Sequence, residues 1–83
     1  MKLQEFNNYS IEERAEAIEA LGTFLAVRTE CDCSVCLFYM RDFFAEAWYD
    51  PENNEAILIR GFEGRILLEP YLEMIDVSEL VNQ

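Results

Sequence analysis

Residues 43–62 read FFAEAWYDPENNEAILIRGF, and the way this stretch folds decides the architecture. At its centre, residues 50–55 (DPENNE) combine a proline that fixes φ with asparagines that tolerate positive φ, which marks a tight reversal. Both flanks, residues 43–50 and residues 56–62, are apolar and carry aromatic or β-branched side chains. The stretch therefore predicts a β-hairpin. Beyond it, Gly61 and Gly64 bracket a second reversal or a bulge.

Working toward the N-terminus, residues 35–41 (VCLFYMR) are apolar on both alternating sides, as in a central strand covered on two faces. Arg41 and Asp42 supply the reversal that leads into residue 43. Residues 23–29 (TFLAVRT) could continue a preceding helix or begin a strand. Their aromatic and β-branched content, after a glycine, favours the strand. Residues 10–13 (SIEE) form a capping box in which Ser10 and Glu13 satisfy each other's backbone amides. The helix this box opens places Ile11, Ala15, Ile18 and Leu21 on one face, Arg14 at its edge, and Glu12, Glu16 and Glu19 opposite. Gly22 is expected to end it in the left-handed conformation. Residues 1–8 are expected to be either mobile or a short strand.

Toward the C-terminus, residues 69–83 (EPYLEMIDVSELVNQ) switch to helical spacing. Pro70 suits a first helical position, and Tyr71, Met74, Ile75 and Ser78 then share one side. Residues 76–79 (DVSE) repeat the acid-x-x-Glu pattern, so the helix restarts there. The expected fold is α+β in a single domain spanning residues 1–83: an N-terminal helix, an antiparallel meander of three to four strands, and one or two short C-terminal helices.

The order of three segments, YSIEERAEAIEALGTFLAVR, FFAEAWYDPENNEAILIRGF and LEPYLEMIDVSEL, resembles a group of small acidic bacterial proteins of unassigned function. The resemblance implies a stand-alone cytoplasmic domain. It implies no activity and no site residue.

Composition narrows the function classes. The chain has 83 residues, of which 52% are apolar and 13% aromatic. A domain of this size buries a limited core, so the surplus apolar surface calls for a partner, most simply a second copy in a homodimer. Seventeen acids face six bases, a net charge of −11. The acids are spread along the chain and leave no basic patch, which argues against nucleic acid or an anionic membrane as a partner. An acidic surface keeps an apolar-rich chain in solution and steers it toward a basic protein. Residues 1–10 (MKLQEFNNYS) lack the apolar core of a signal peptide, and no run reaches the roughly 18 apolar residues of a membrane span. Three cysteines, an odd count, fit a disulfide framework poorly. A cytoplasmic protein with reduced thiols is expected.

Candidate sites are few. Cys31, Cys33 and Cys36 stand as Cys-x-Cys-x-x-Cys, short of the four ligands of structural zinc, and no histidine is present to supply a fourth. Glu30, Asp32 or a symmetry mate's thiols could complete such a site. The simpler reading makes Cys36 a small buried strand residue, with Cys31 and Cys33 in the preceding loop. Redox use of Cys33 and Cys36 lacks the helix N-terminus that activates such thiols. The absence of histidine removes Ser-His and Cys-His dyads, and GFEG at residues 61–64 lacks the lysine and spacing of a phosphate loop. Glu46 is the one charge inside an apolar run. If it points inward it needs a cation, and Arg60 on the next strand is the natural one, making a buried ion pair. Phe44, Trp48, Tyr49 and Phe62 are candidate interface residues, because aromatics concentrate at interface hot spots. The expected function is a non-enzymatic interaction or self-assembly module without a cofactor. The alternatives are an acidic antidote that neutralises a basic toxin or nuclease, and a metal-binding protein that uses the three thiols.

Overall fold

The computed structural model describes residues 1–64 and 66–71, the side chains of residues 66 and 67 excepted. In chain order it contains α1 (Leu3–Asn7), α2 (Ile11–Leu21), β1 (Thr23–Glu30), β2 (Cys33–Tyr39), β3 (Phe44–Tyr49), β4 (Ala56–Phe62) and a 3-10 helix (Ile66–Tyr71). The strands form one antiparallel sheet in the order β1-β2-β3-β4, so the expected meander has all four of its strands. The C-terminal face carrying Met74, Ile75 and Ser78, and the restart at residues 76–79, lie outside the described residues. Pro70, expected to open a helix, falls inside the 3-10 turn instead. No helix among the described residues is long and apolar enough to cross a membrane.

Each hairpin has its own local cause. Between β1 and β2 the loop is only Cys31 and Asp32, with φ of 50° and 68°, flanked by the paired Glu30 and Cys33. Positive φ at both loop residues is the type I′ geometry, whose twist matches that of the strands it joins. Between β2 and β3 the Met40 amide donates to the Phe43 carbonyl at 2.9 Å, with Arg41 at φ 77°. The last hairpin is held by its asparagines and aspartate. Asp50 Oδ1 accepts from the Glu52 amide at 2.7 Å, Asn53 Oδ1 accepts from the Glu55 amide at 2.9 Å, and Asn54 takes φ 58°.

The α2 capping box forms as read, with the Glu13 amide donating to Ser10 Oγ at 3.2 Å and the Ser10 amide to Glu13 Oε1 at 2.9 Å. Its buried stripe is rotated from the expectation. Ala17 and Ile18 are buried and Ile11 and Arg14 half-buried, whereas Ala15 and Leu21 face outward. Arg14 takes the inward position because its guanidinium has carbonyls to serve: Phe6 at 3.1 Å, Asn7 at 2.7 Å and Ile59 at 2.6 Å. Two of these belong to the last turn of α1, where orphan carbonyls and the helix dipole favour a cation.

Two other expectations change. Gly22 is extended (φ −85°, ψ 154°) rather than left-handed. A side chain there would come within 2.8 Å of the Ile18 carbonyl and 3.0 Å of Met40 Sδ, so crowding accounts for the glycine. Residues 1–8 are neither a strand nor free, since α1 plants Phe6, fully buried, into the core.

The sheet separates two clusters. On the helix side, Ala45, Ala47 and Ile59 meet Phe6, Ala17, Ile18, Met40 and Phe43. Gly61, a strand residue rather than a turn residue, lets α1 approach: a Cβ there would stand 2.7 Å from Leu3 Cδ1 and 2.9 Å from Phe6 Cδ2. On the other side, Ala26, Leu37, Phe44 and Phe62 are covered by Leu68 and Tyr71 of the 3-10 helix. β3 is buried on both faces from Phe44 to Ala47. β2, by contrast, is fully buried only at Val35 and Leu37 on the 3-10 side, and its helix-side Cys36 and Phe38 are half-buried because α1 and α2 sit over β4.

Candidate functional site

The sheet face under the 3-10 helix carries an internal polar cluster centred on Glu46. Strand alternation puts Phe44, Glu46 and Trp48 of β3 on this face, and the register sets Glu46 directly between Leu37 of β2 and Arg60 of β4. The Glu46 side chain has no solvent exposure. Its Oε1 accepts from Arg60 Nε at 2.9 Å, pairs with Arg60 Nη2 at 2.8 Å and receives Trp48 Nε1 at 3.4 Å. Its Oε2 accepts from the Tyr71 hydroxyl at 2.6 Å and from Arg28 Nη2 at 3.4 Å. Sequence reasoning anticipates the Glu46–Arg60 pair. It misses Arg28, Trp48 Nε1 and Tyr71 as partners.

Arg28 is the second hub. Its guanidinium sits 5.5 Å from the Trp48 ring centroid and 5.3 Å from that of Tyr71, and Nη1 pairs with Glu30 at 2.6 Å. Weakly hydrated and planar, a guanidinium suits a slot between aromatic faces better than an ammonium would. Its Nε is buried and finds no acceptor among the described residues. Two carboxylates, Glu30 and Glu46, thereby balance two arginines, Arg28 and Arg60.

The electrostatics follow from this geometry. Burial pushes the Glu46 carboxyl up, but the hydrogen bonds from Tyr71 and Arg60 and the Arg60 charge outweigh it and hold the group below its ordinary range. The Tyr71 phenol moves well above its ordinary value, through burial and through donating to a carboxylate. Burial works against the Arg28 charge, yet Tyr71, Glu30 and Glu46 raise its pKa further. The cluster is therefore a fixed-charge clasp: two ionised carboxylates, two cations and a neutral phenol. Every acceptor lone pair that Glu46 presents is engaged from within the chain, so its arrangement serves to hold the 3-10 helix against the sheet.

The four aromatic interface candidates do not form one surface. Phe44 and Phe62 pair across β3 and β4 with ring centroids 5.9 Å apart, and both are buried beneath the 3-10 helix. Trp48 is half-buried on the same face, opposite the exposed Leu58. Tyr49 projects to the helix side and packs with that cluster. Odd-even alternation along β3 enforces the split. Burial raises the Tyr49 phenol, with Cys36 adding to the shift.

The three thiols are likewise not assembled. Cys31 is exposed at the apex of the first hairpin. Cys33, placed in the loop by sequence reading, is instead the first residue of β2. Cys33 and Cys36 stand three residues apart on that strand and so face opposite sides of the sheet. Burial raises the Cys36 thiol above its ordinary value. Among the described residues, no three acidic, cysteine or histidine side chains gather in a way that could hold a metal ion.

No protein-family model, no curated protein and no solved structure matches the chain.

Proposed function

We propose that this chain is a non-enzymatic interaction module that works through self-association. The observation that carries the reading is the outer surface. Phe24 and Val27, side by side on one face of the edge strand β1, are both about half exposed. Large apolar side chains outside a small domain that carries a net charge of −11 call for a protein surface to cover them. The Glu46 carboxylate supports the same reading, because the hydrogen bonds it accepts come from Arg28, Trp48, Arg60 and Tyr71 of its own protomer. The three cysteines are unpaired, which fits a reducing compartment such as the cytoplasm.

The charge favours a second reading, an acidic inhibitor of a basic protein. Glu12, Glu13, Glu16 and Glu19 all lie exposed on α2 and would steer a cationic partner. Light scattering over a range of protein concentrations and at two salt levels separates the two. Self-association predicts a mass rising from 9.7 kDa toward twice that value, with added salt leaving it intact. A mass fixed at the protomer value, with salt-sensitive capture of a basic partner, would transfer the assignment to the inhibitor.

A further inference from the structure

The two edges of the sheet are unlike. At β4, α1 and α2 pack against the strand, Gly61 is pressed by Leu3 and Phe6, and Arg14 engages the Ile59 carbonyl. At the opposite edge, β1 pairs only with β2 among the described residues. An edge strand presents a row of unpaired amides and carbonyls, and proteins ordinarily blunt such an edge with charge, proline or a cover. β1 has no proline. A bulge at Leu25 interrupts its start, but from Ala26 to Glu30 its pairing with β2 runs unbroken. Its exposed side chains include Phe24 and Val27, at 55% and 48% exposure, which the register places on the same, helix-side face.

Charge indicates what this edge meets. The chain has 17 acids, yet none between Glu19 and Glu30, and β1 spans most of that gap. The lone cation in the gap, Arg28, is already paired with Glu30 and Glu46. Two copies at −11 repel wherever their acidic surfaces face each other, and β1 adds little to that repulsion, because its one acid, Glu30, is paired with Arg28. A cationic partner, by contrast, would find little to attract it there. Antiparallel pairing of a strand with its own copy is also compatible with a two-fold axis, so each favourable contact is made twice.

Building on the self-association reading, we infer that β1 is the dimer edge. Two copies pair their β1 strands antiparallel to form one continuous eight-stranded sheet. Phe24 and Val27 of both copies close an apolar seam on its helix side. Recognition rests on main-chain hydrogen bonds, with the alternate side chains supplying register.

The test compares the solution mass of wild type with Val27→Glu and Phe24→Glu, using Ile57→Glu on β4 as the control. All three positions are about half exposed, so folding is retained, which circular dichroism verifies for each variant. The inference predicts that Val27→Glu and Phe24→Glu each raise the dimer dissociation constant at least about tenfold, through like charges set face to face across the axis. Ile57→Glu leaves it unchanged. A wild type that stays monomeric at every concentration sinks both the self-association reading and this edge. A dimer that survives both β1 variants but dissociates with Ile57→Glu keeps self-association and overturns the edge.

Discussion

Replacing Glu46 tests how the 3-10 helix is held. Glu46→Ala strands the Tyr71 hydroxyl and removes the carboxylate shared by Arg28 and Arg60. Breaking a buried ion pair by removing one partner costs about 3–5 kcal/mol. Two features of this site pull toward the lower end. The Arg60 side chain is 40% exposed and can rehydrate, and Arg28 keeps Glu30. We therefore expect a loss of about 3 kcal/mol, a large share of the roughly 4–12 kcal/mol available to a domain of this length. Tyr71→Phe should cost about 1.5 kcal/mol, the lower end for a hydrogen bond to a charged acceptor. The two losses should not add, because the hydroxyl has little value without the carboxylate. The double variant should recover about 1 kcal/mol relative to the sum. The assay is urea unfolding at pH 7 and one fixed protein concentration, since association shifts apparent stability by mass action. A Glu46→Ala loss below about 1 kcal/mol, or single losses that add within about 0.5 kcal/mol, would refute the clasp.

Further expectations concern pH and the packing of α1. Because Glu46 titrates lower in the folded than in the unfolded chain, its contribution is complete above the ordinary carboxylate range and disappears as pH falls below it. Glu46→Gln should therefore flatten the acid limb of a stability–pH curve, and an unchanged limb would count against the assignment. Tyr71 titrates higher when folded, so its contribution is complete below the ordinary phenol range and is lost as pH climbs beyond it. Tyr71→Phe should lessen alkaline unfolding. Gly61→Ala forces a methyl onto Leu3 and Phe6 and should cost about 1–3 kcal/mol by thermal unfolding, whereas a neutral result would show that α1 is not seated on β4. Arg14→Met keeps much of the apolar stem but loses three carbonyl partners. It should cost about 2 kcal/mol and increase amide exchange in residues 3–9.

What could be read in advance was what depends on neighbours in the chain. Ser10 and Glu13 cap α2 because they are three residues apart, and residues 50–55 turn because proline and asparagine set their own φ. The Glu46–Arg60 pair was legible for the same reason, since a short hairpin places the two in register. Tyr71 reaches Glu46 from 25 residues away, and no local pattern announces that contact. Arg28 is intermediate. Once Cys31 and Asp32 are known to form a two-residue loop, register carries Arg28 to Val35 and on to Trp48, beside Glu46. That loop itself was hidden, because neither residue is the glycine or asparagine that usually marks positive φ. Arg14 was set at the edge of the α2 stripe because helical spacing scores apolarity, whereas its inward turn is dictated by carbonyls on α1 and β4. Tyr49 could have been separated from Phe44 and Trp48 by parity alone, so grouping the four aromatics as one surface overlooked a signal that was present.

The most direct test of the account is amide hydrogen exchange measured on wild type at low and at high protein concentration. Pairing of β1 with its copy predicts that amides within residues 24–30 exchange more slowly as concentration rises, while residues 56–62 on β4 keep their rates. Rates in residues 24–30 that do not respond to concentration, or a slowing confined to β4, would contradict it.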